Sequence, residues 1–457
     1  MNLTEHTLIH DKRIDDKKSP LLSDDCEEDP YKNIETSVIT RQQRHKVQII
    51  DRPCGTGKTT EILGSFKQGE RYLVVVPLLS EVERVILRAV VNFVQPTPGG
   101  ENDTKSEHLI TLLREGVNVV TTHKLFTEIA SAASLGLLDD YHIIIDEVLD
   151  VVKGVVGKSA RSFDQFYIDD GYATEDDDGL ITPTVKWDEH YREVSDTLDP
   201  RLYNLAKSQT LYRVDGSFFL RALPAPLLQS GRSFTVYTYM AEGSLMLAYL
   251  RKIGIDFHHE RSADEDTFRN NARRLIDVRT IPAIEGQPLS YSGQTRSKGR
   301  TRRNESISIA LKNTKQRSLK GVDMNDVIIT CAKENWFKSG TSNKAAAFAC
   351  GSRMVDANWL PNTTRGTNDF AHASVCIYLY DQYINPFIRR WLGMENAAEA
   401  DDRYALAELI QWVYRSRVRR GEPITLYLPS KRMRRLLHDW LEGGAIASDF
   451  ETLSLAA

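Results

Sequence analysis

The chain has 457 residues, 41% of them hydrophobic and 27% charged, and a formal net charge of −4. That is the balance of a soluble globular protein of two or three domains. No apolar run reaches about eighteen residues, which argues against a membrane span, and the polar N-terminus carries no signal-like segment. Cys26, Cys54, Cys331, Cys350 and Cys376 are scattered without CxxC pairs, so a reducing, intracellular and cytoplasmic setting is expected. The mild acidity leaves nucleic acid open as a partner, because binding needs only a local positive face.

Residues 1–44 are polar and mixed in charge. They read as a flexible N-terminal arm, with an acidic knot at Asp24, Glu27, Glu28 and Asp29 before Pro30. From Lys46 the pattern changes. Residues 46–50 read as a strand, followed by a glycine-rich turn and a helix running to about Phe66. Arg71–Pro77, Val117–Val120 and Tyr141–Ile145 are further buried strands. Helical spacing lies between them, at Leu79 to Val94 and Glu107 to Leu113, and a helix opens at Thr122. Strands alternating with helices predict an α/β fold, parallel sheets with helices on both faces.

Over 152–230 the alternation is lost. Asp169, Asp170, Glu175, Asp176, Asp177 and Asp178 make this an acidic inserted region, with helices expected around 186–223. Residues 231–272 return to the first domain, whose earlier part is 45–151. A second domain of the same kind is expected over 273–457. Its strands are expected at Leu275–Val278, Val327–Thr330, Ser374–Tyr380 and Ile424–Leu428. Its helices are expected at Asn343–Ala349, Arg403–Tyr414 and Lys431–Leu441. The stretch 292–304, with Arg296, Lys298, Arg300, Arg302 and Arg303, reads as a mobile basic loop without an apolar anchor.

The chemistry starts at Asp51-Arg52-Pro53-Cys54-Gly55-Thr56-Gly57-Lys58-Thr59-Thr60. A strand turning through glycines into a helix points backbone N–H groups at a phosphate. Gly55 to Thr60 would cradle it, Lys58 would reach the β and γ phosphates, and the Thr59 hydroxyl would ligate Mg²⁺. Arg52 stands where the first glycine of the full pattern would be. Asp146-Glu147, ending a buried strand, supplies the other half: Asp146 for Mg²⁺ and Glu147 to position and activate water. Together they predict an ATPase. Arg415, Arg417, Arg419 and Arg420 end a later helix that also carries Gln411. Arg415 and Arg419, four residues apart, would share a face and cross a cleft to the γ-phosphate.

This ordered set resembles superfamily 2 helicases and translocases, which have two tandem RecA-like domains. Pro53–Thr60 resembles their first motif, Asp146-Glu147-Val148-Leu149 the DEAD/DEAH motif, Thr235–Thr238 the Ser-Ala-Thr motif (here continuing Thr-Tyr-Met), and Gln411–Arg419 the arginine-finger motif. Val148-Leu149 departs from both common subgroups. Arg415-Ser416 stands where Gly-Arg is usual, which leaves the finger open between Arg415 and Arg419. The resemblance implies ATP and Mg²⁺ as cofactors and single-stranded or forked DNA as partner, with RNA possible. It places Gln411 beside the nucleotide and implies backbone contacts from Thr122, His123, Thr330, Gly366, Thr367 and Asn368. Size and resemblance suggest a phage replication helicase, which would then work in host cytoplasm.

Other readings stay open. A viral DNA-packaging-type motor ATPase shares the first two motifs. An NTP-dependent switch or scaffold would use the site to order the 152–230 insertion against a protein partner. The basic stretch could clamp a phosphate or stay solvated. Trp336 or Phe337 could stack on a base, though core packing is the ordinary use. His258-His259-Glu260 reads as a solvated turn rather than a metal site, and 175–178 as an exposed loop.

Overall fold

Short runs rich in β-branched residues build two parallel sheets. The computed structural model describes residues 46–99, 104–155, 159–190, 198–296, 299–338, 340–341 and 343–443. The expected arm over 1–44, its acidic knot and Lys298 lie outside the described residues.

In the first lobe the strands are β1 (Val47–Asp51), β2 (Arg71–Val76), β3 (Val119–Thr122) and β4 (Tyr141–Asp146). The inserted region contributes β5 (Val152–Gly154), β6 (Ala173–Glu175), β7 (Ile181–Pro183), β8 (Leu211–Val214) and β9 (Phe218–Ala222). The chain then returns through β10 (Ser233–Thr238) and β11 (Phe257–Glu260). The first sheet runs β11-β1-β10-β4-β2-β3, all parallel. The second lobe has β12 (Ile276–Arg279), β13 (Val327–Thr330), β14 (Asn358–Trp359), β15 (Val375–Tyr378) and β16 (Ile424–Tyr427), in the parallel order β12-β16-β15-β13-β14.

Alternate residues of these strands point to opposite faces, and both faces are buried. Leu73, Val75, Ile143, Ile145 and Val236 pack on one side of the first sheet, and Val74, Val76, Ile144 and Tyr237 on the other. The second sheet divides likewise, with Ile328, Cys376 and Leu426 on one face and Val327, Ile329 and Ile377 on the other. Each such side chain fully buried contributes about 1.5–3 kcal/mol. Sheets covered on both faces by helices are the α/β arrangement expected from the sequence.

The inserted region has its own core, where Phe163 stacks on Tyr167 at 4.7 Å with Trp187 and Tyr203 beside them. Helices occupy Val185–His190 and Pro200–Lys207. Beyond them the expected helices give way to the antiparallel hairpin β8–β9. Asp215 and Gly216 turn it, with left-handed φ of 49° and 61°, in a three-residue loop between the paired Val214 and Phe218.

A second correction concerns 292–304, where the described residues on either side of 297–298 are mostly helical and not a mobile loop. A helix spans Tyr291–Thr295 and another Arg300–Ser318. The anchor is Gln294, fully buried: its amide donates to Leu289 O (2.8 Å) and Leu379 O (2.7 Å) and accepts from Ala332 N (3.0 Å). Downstream, Ile307, Ala310 and Leu311 of the longer helix enter the core with Phe348.

Among the described residues the lobes meet at a cleft and, away from it, through two helices of the second lobe. Helix Pro386–Trp391 leaves the second lobe and packs on the first, with Ile384, Ile388 and Leu392 joining the core of Leu247 and Leu250. Phe387 stacks on Phe218 at 4.8 Å, Trp391 meets Tyr212 at 5.0 Å, and Arg390 pairs with Asp215 at 2.9 Å. The inserted region's aromatic face is thus covered by the chain's own helix. The second of these helices, Ala397–Val413, lies against Gly243, where a Cβ would come within 2.5 Å of Arg403 O and 2.8 Å of the Ala407 Cβ.

Candidate functional site

Parallel strands release their C-terminal ends on one edge of a sheet. β1 and β4 flank β10, so the glycine turn after β1 and the Asp146-Glu147 pair after β4 open side by side. The turn is held from behind. The Asp51 carboxylate accepts Met240 N and Ala241 N, each at 2.9 Å. Gly55 and Gly57 take φ of 83° and 95°, which suits residues without a Cβ. Helix Lys58–Gly64 starts directly after.

The result is a cavity of about 170 Å³ lined by Gly55, Gly57, Lys58, Thr59, Thr60, Asp146 and Glu147 from the first lobe. Gly366, Asn368, Arg415 and Arg419 line it from the second lobe. Lys58 Nζ lies 2.9 Å from Glu147 Oε1, and both side chains are nearly buried. Burial pushes the Glu147 carboxyl up, but Lys58, Arg415 and Arg365 outweigh it and hold the group at about 2. Asp146 moves the other way: burial and then the neighbouring Glu147 raise it to about 6. Among the described residues Asp146 has no ion-pair partner. Thr59 lines the same cavity.

From the second lobe, Arg415 is 4% exposed. Its Nη2 sits 4.0 Å from Glu147 Oε1 and its Nη1 3.5 Å from Thr367 O. Its Nε and Nη2, and Glu147 Oε2, are buried without a hydrogen-bond partner. Burial lowers the Arg415 pKa. Arg419 packs over the turn, 3.2 Å from the position of a Cβ on Gly55. Arg365 pairs with Glu408 at 3.0 Å behind this face. Gly366 lies against Pro77, where a Cβ would approach Cγ to 2.5 Å.

Not every expected position falls in the cavity. Thr56 closes its own turn on Pro53 O at 2.9 Å. Gln411 is buried behind the site and donates to Tyr239 O at 3.2 Å. Thr122 caps the helix His123–Phe126 and, with Thr121 and Lys124, lines a separate cavity of about 900 Å³. His123 Nε2 lies 2.8 Å from Asp146 O. Thr330 is wholly buried, so its side chain is withdrawn from any surface contact, and Thr367 is 7% exposed and bonded to Asp369. Gly366 and Asn368 line the same cavity as Lys58 and Glu147.

Trp336 is core, 1% exposed, and Phe337 packs edge-on against Trp359 at 5.6 Å. The run at 175–178 forms a turn in which Asp176 Oδ1 accepts Asp178 N and Leu180 N. His258-His259-Glu260 is a strand, β11, and not a solvated turn. There His259 Nε2 meets Asp51 at 3.1 Å and Nδ1 meets Glu242 at 3.5 Å. Burial lowers the His259 pKa, but the two carboxylates more than offset it and raise the group to about 9.

The sequence reading missed Glu81, Arg84 and Arg88, which line the cavity from helix Leu79–Arg88. Their spacing of three and then four residues puts them on one helix face, but nothing in the pattern tells which face meets a cleft.

With this geometry in place, comparison with known proteins gives the following. Residues 270–441, most of the second lobe, match the family model of the YonV C-terminal Rossmann-like domain. The SPbeta prophage-derived uncharacterized protein YonV of Bacillus subtilis (strain 168) is 27% identical over 419 residues, 87% of this chain and 99% of that protein. Among solved structures, S. tokodaii Xpd4 covers 88% of this chain and 94% of its own length at 13% identity, with a TM-score of 0.47. The Pyrococcus furiosus Hef helicase domain covers 87% and 95% at 11% identity, with a TM-score of 0.28.

Proposed function

We propose that the chain is a Mg²⁺-dependent ATPase of the motor type, in which two RecA-like lobes close on ATP and the cycle of closure moves the protein along a single nucleic-acid strand. The observation that carries this reading is Arg415. A buried guanidinium with two unpartnered nitrogens is costly unless an anion completes its shell, and it faces Lys58 and Glu147 across the cleft. A triphosphate would complete it.

In this reading Lys58 leaves Glu147 for the terminal phosphates, and Arg415 and Arg419 meet them from the second lobe. Thr59 and Asp146 would hold Mg²⁺, which when bound neutralises phosphate charge. Glu147, no longer held down by Lys58, becomes a stronger base for the proton of the attacking water. The His123–Asp146 contact supports coupling, because a strand bound at Thr122 and His123 would bear directly on the end of β4. Gln411, through Tyr239, ties the helix that leads to Arg415 to the end of β10. The likeness to a prophage-derived protein supports a phage setting.

The test is ATP turnover with and without single-stranded DNA or RNA. Turnover stimulated by a strand, and abolished in Lys58→Ala, is expected. Turnover in Lys58→Ala within about twofold of wild type would remove the site, since losing a phosphate-binding charge costs far more than that. Hydrolysis indifferent to any strand would leave an NTP-driven switch.

A further inference from the structure

Five cations (Lys58, Arg84, Arg88, Arg415 and Arg419) and three carboxylates (Glu81, Asp146 and Glu147) line the phosphate-side cavity. The excess is positive in a partly dry site, where unbalanced charge is expensive. Two of the five come from helix Leu79–Arg88, which none of the assignments above uses.

Arg84 is the nearer of these two to the glycine turn. Its Nη2 donates to Thr59 Oγ1 at 2.9 Å, and the guanidinium forms an ion pair with Glu81, itself 6% exposed. Its Nε is buried and has no hydrogen-bond partner. Burial lowers the Arg84 pKa, while Asp146 acts to raise it. An arginine serving only to neutralise Glu81 has no need to reach the hydroxyl of the phosphate turn. A guanidinium presents donors in a rigid fork suited to phosphate oxygens, and this one already rests on the residue that the proposed function sets beside the phosphates.

We propose that Arg84 is a phosphate-binding residue supplied by the first lobe, which exchanges the Thr59 hydroxyl for a phosphate oxygen when a nucleotide enters. This rests on the nucleotide-site reading above and extends it. The triphosphate is then gripped by an arginine of its own lobe as well as by Arg415 and Arg419 from across the cleft. Arg84 therefore acts before closure, and its loss weakens binding rather than only turnover.

The experiment is equilibrium binding of ATP and of inorganic tripolyphosphate, in EDTA and in Mg²⁺, read by the ligand-induced shift in melting temperature and by calorimetric titration. Arg84→Gln is expected to weaken both ligands about tenfold, or about 1.4 kcal/mol, because the lost contact is to phosphate and not to base. Arg84→Lys, which keeps the charge without the fork, recovers part of the loss. Glu81→Gln frees the guanidinium and tightens ATP. If Arg84→Gln binds ATP within about twofold of wild type while Lys58→Ala has lost it, the proposal is overturned and the site stands. If Lys58→Ala also binds like wild type, the site reading itself fails. Weakening by Glu81→Gln to the level of Arg84→Gln reduces Arg84 to a packing partner and overturns the proposal too.

Discussion

Two junctions between the lobes are built from opposite materials. At the cleft, Arg415 and Arg419 face Lys58, Asp146 and Glu147 with polar atoms left unpartnered. At helix Pro386–Trp391 the contact is apolar and aromatic, with Ile384, Ile388 and Leu392 inside the first lobe's core and Phe387 flat on Phe218. Dispersion and burial act only at contact distance, so the second junction favours staying shut. Long cationic side chains with unfilled donors can be drawn further inward by an anion. In the proposed function one junction is a fixed attachment and the other a responsive face.

Breaking the fixed attachment should have the largest effect. Ile388→Ala removes a side chain 8% exposed and is expected to cost about 3 kcal/mol in urea unfolding, with ATP binding at the cleft retained. An equal loss of ATP affinity would mean that the two junctions are not separable.

On the responsive face, Gly366→Ala puts a methyl within 2.5 Å of Pro77 Cγ at a φ of +74°. Turnover is expected to fall about tenfold, equivalent to 1.4 kcal/mol, with ATP affinity little changed. Steady-state kinetics against binding separates the two.

The smallest effect concerns the support behind the glycine turn. His259 has its pKa raised from 6.5 to about 9 in the fold. Its charged contact with Asp51 and Glu242 therefore adds stability that is fully present below pH 6.5 and is lost as pH rises through about 9. The melting temperature of wild type should decline across that window by roughly one degree relative to His259→Gln, of the order set by about 1 kcal/mol once the shift is discounted for solvent screening. Parallel pH profiles for the two proteins would show that the network carries nothing.

Much of this was legible from short-range pattern. β1, its turn, β2 and β4 are contiguous apolar runs ending in chemically distinctive residues, and helix Lys431–Leu441 falls where its periodicity put it. Segments whose structure depends on distant partners were not legible. The basic stretch at 292–304 shows no apolar face of its own, because its anchor is the buried Gln294 amide and the buried apolar side chains of the helix that follows begin at Ile307. The hairpin at 211–222 did carry a local signal in Asp215-Gly216, overlooked beside the acidic residues upstream. In the site, the glycine turn and Asp146-Glu147, singled out by residue type, do line one cavity. The inward turn of Thr330, the placing of Asn368 and the approach of Arg84 follow from packing between elements far apart in sequence.

Gly243 sets a dimension that no charged residue can set for itself. The helix lying on it leads, two residues past its last turn, to Arg415. A single methyl at 243 would act as a shim, lifting that rod by a fraction of a bond length and backing the guanidinium off Glu147. The calibration of the cleft thus lies in a missing side chain some distance from it.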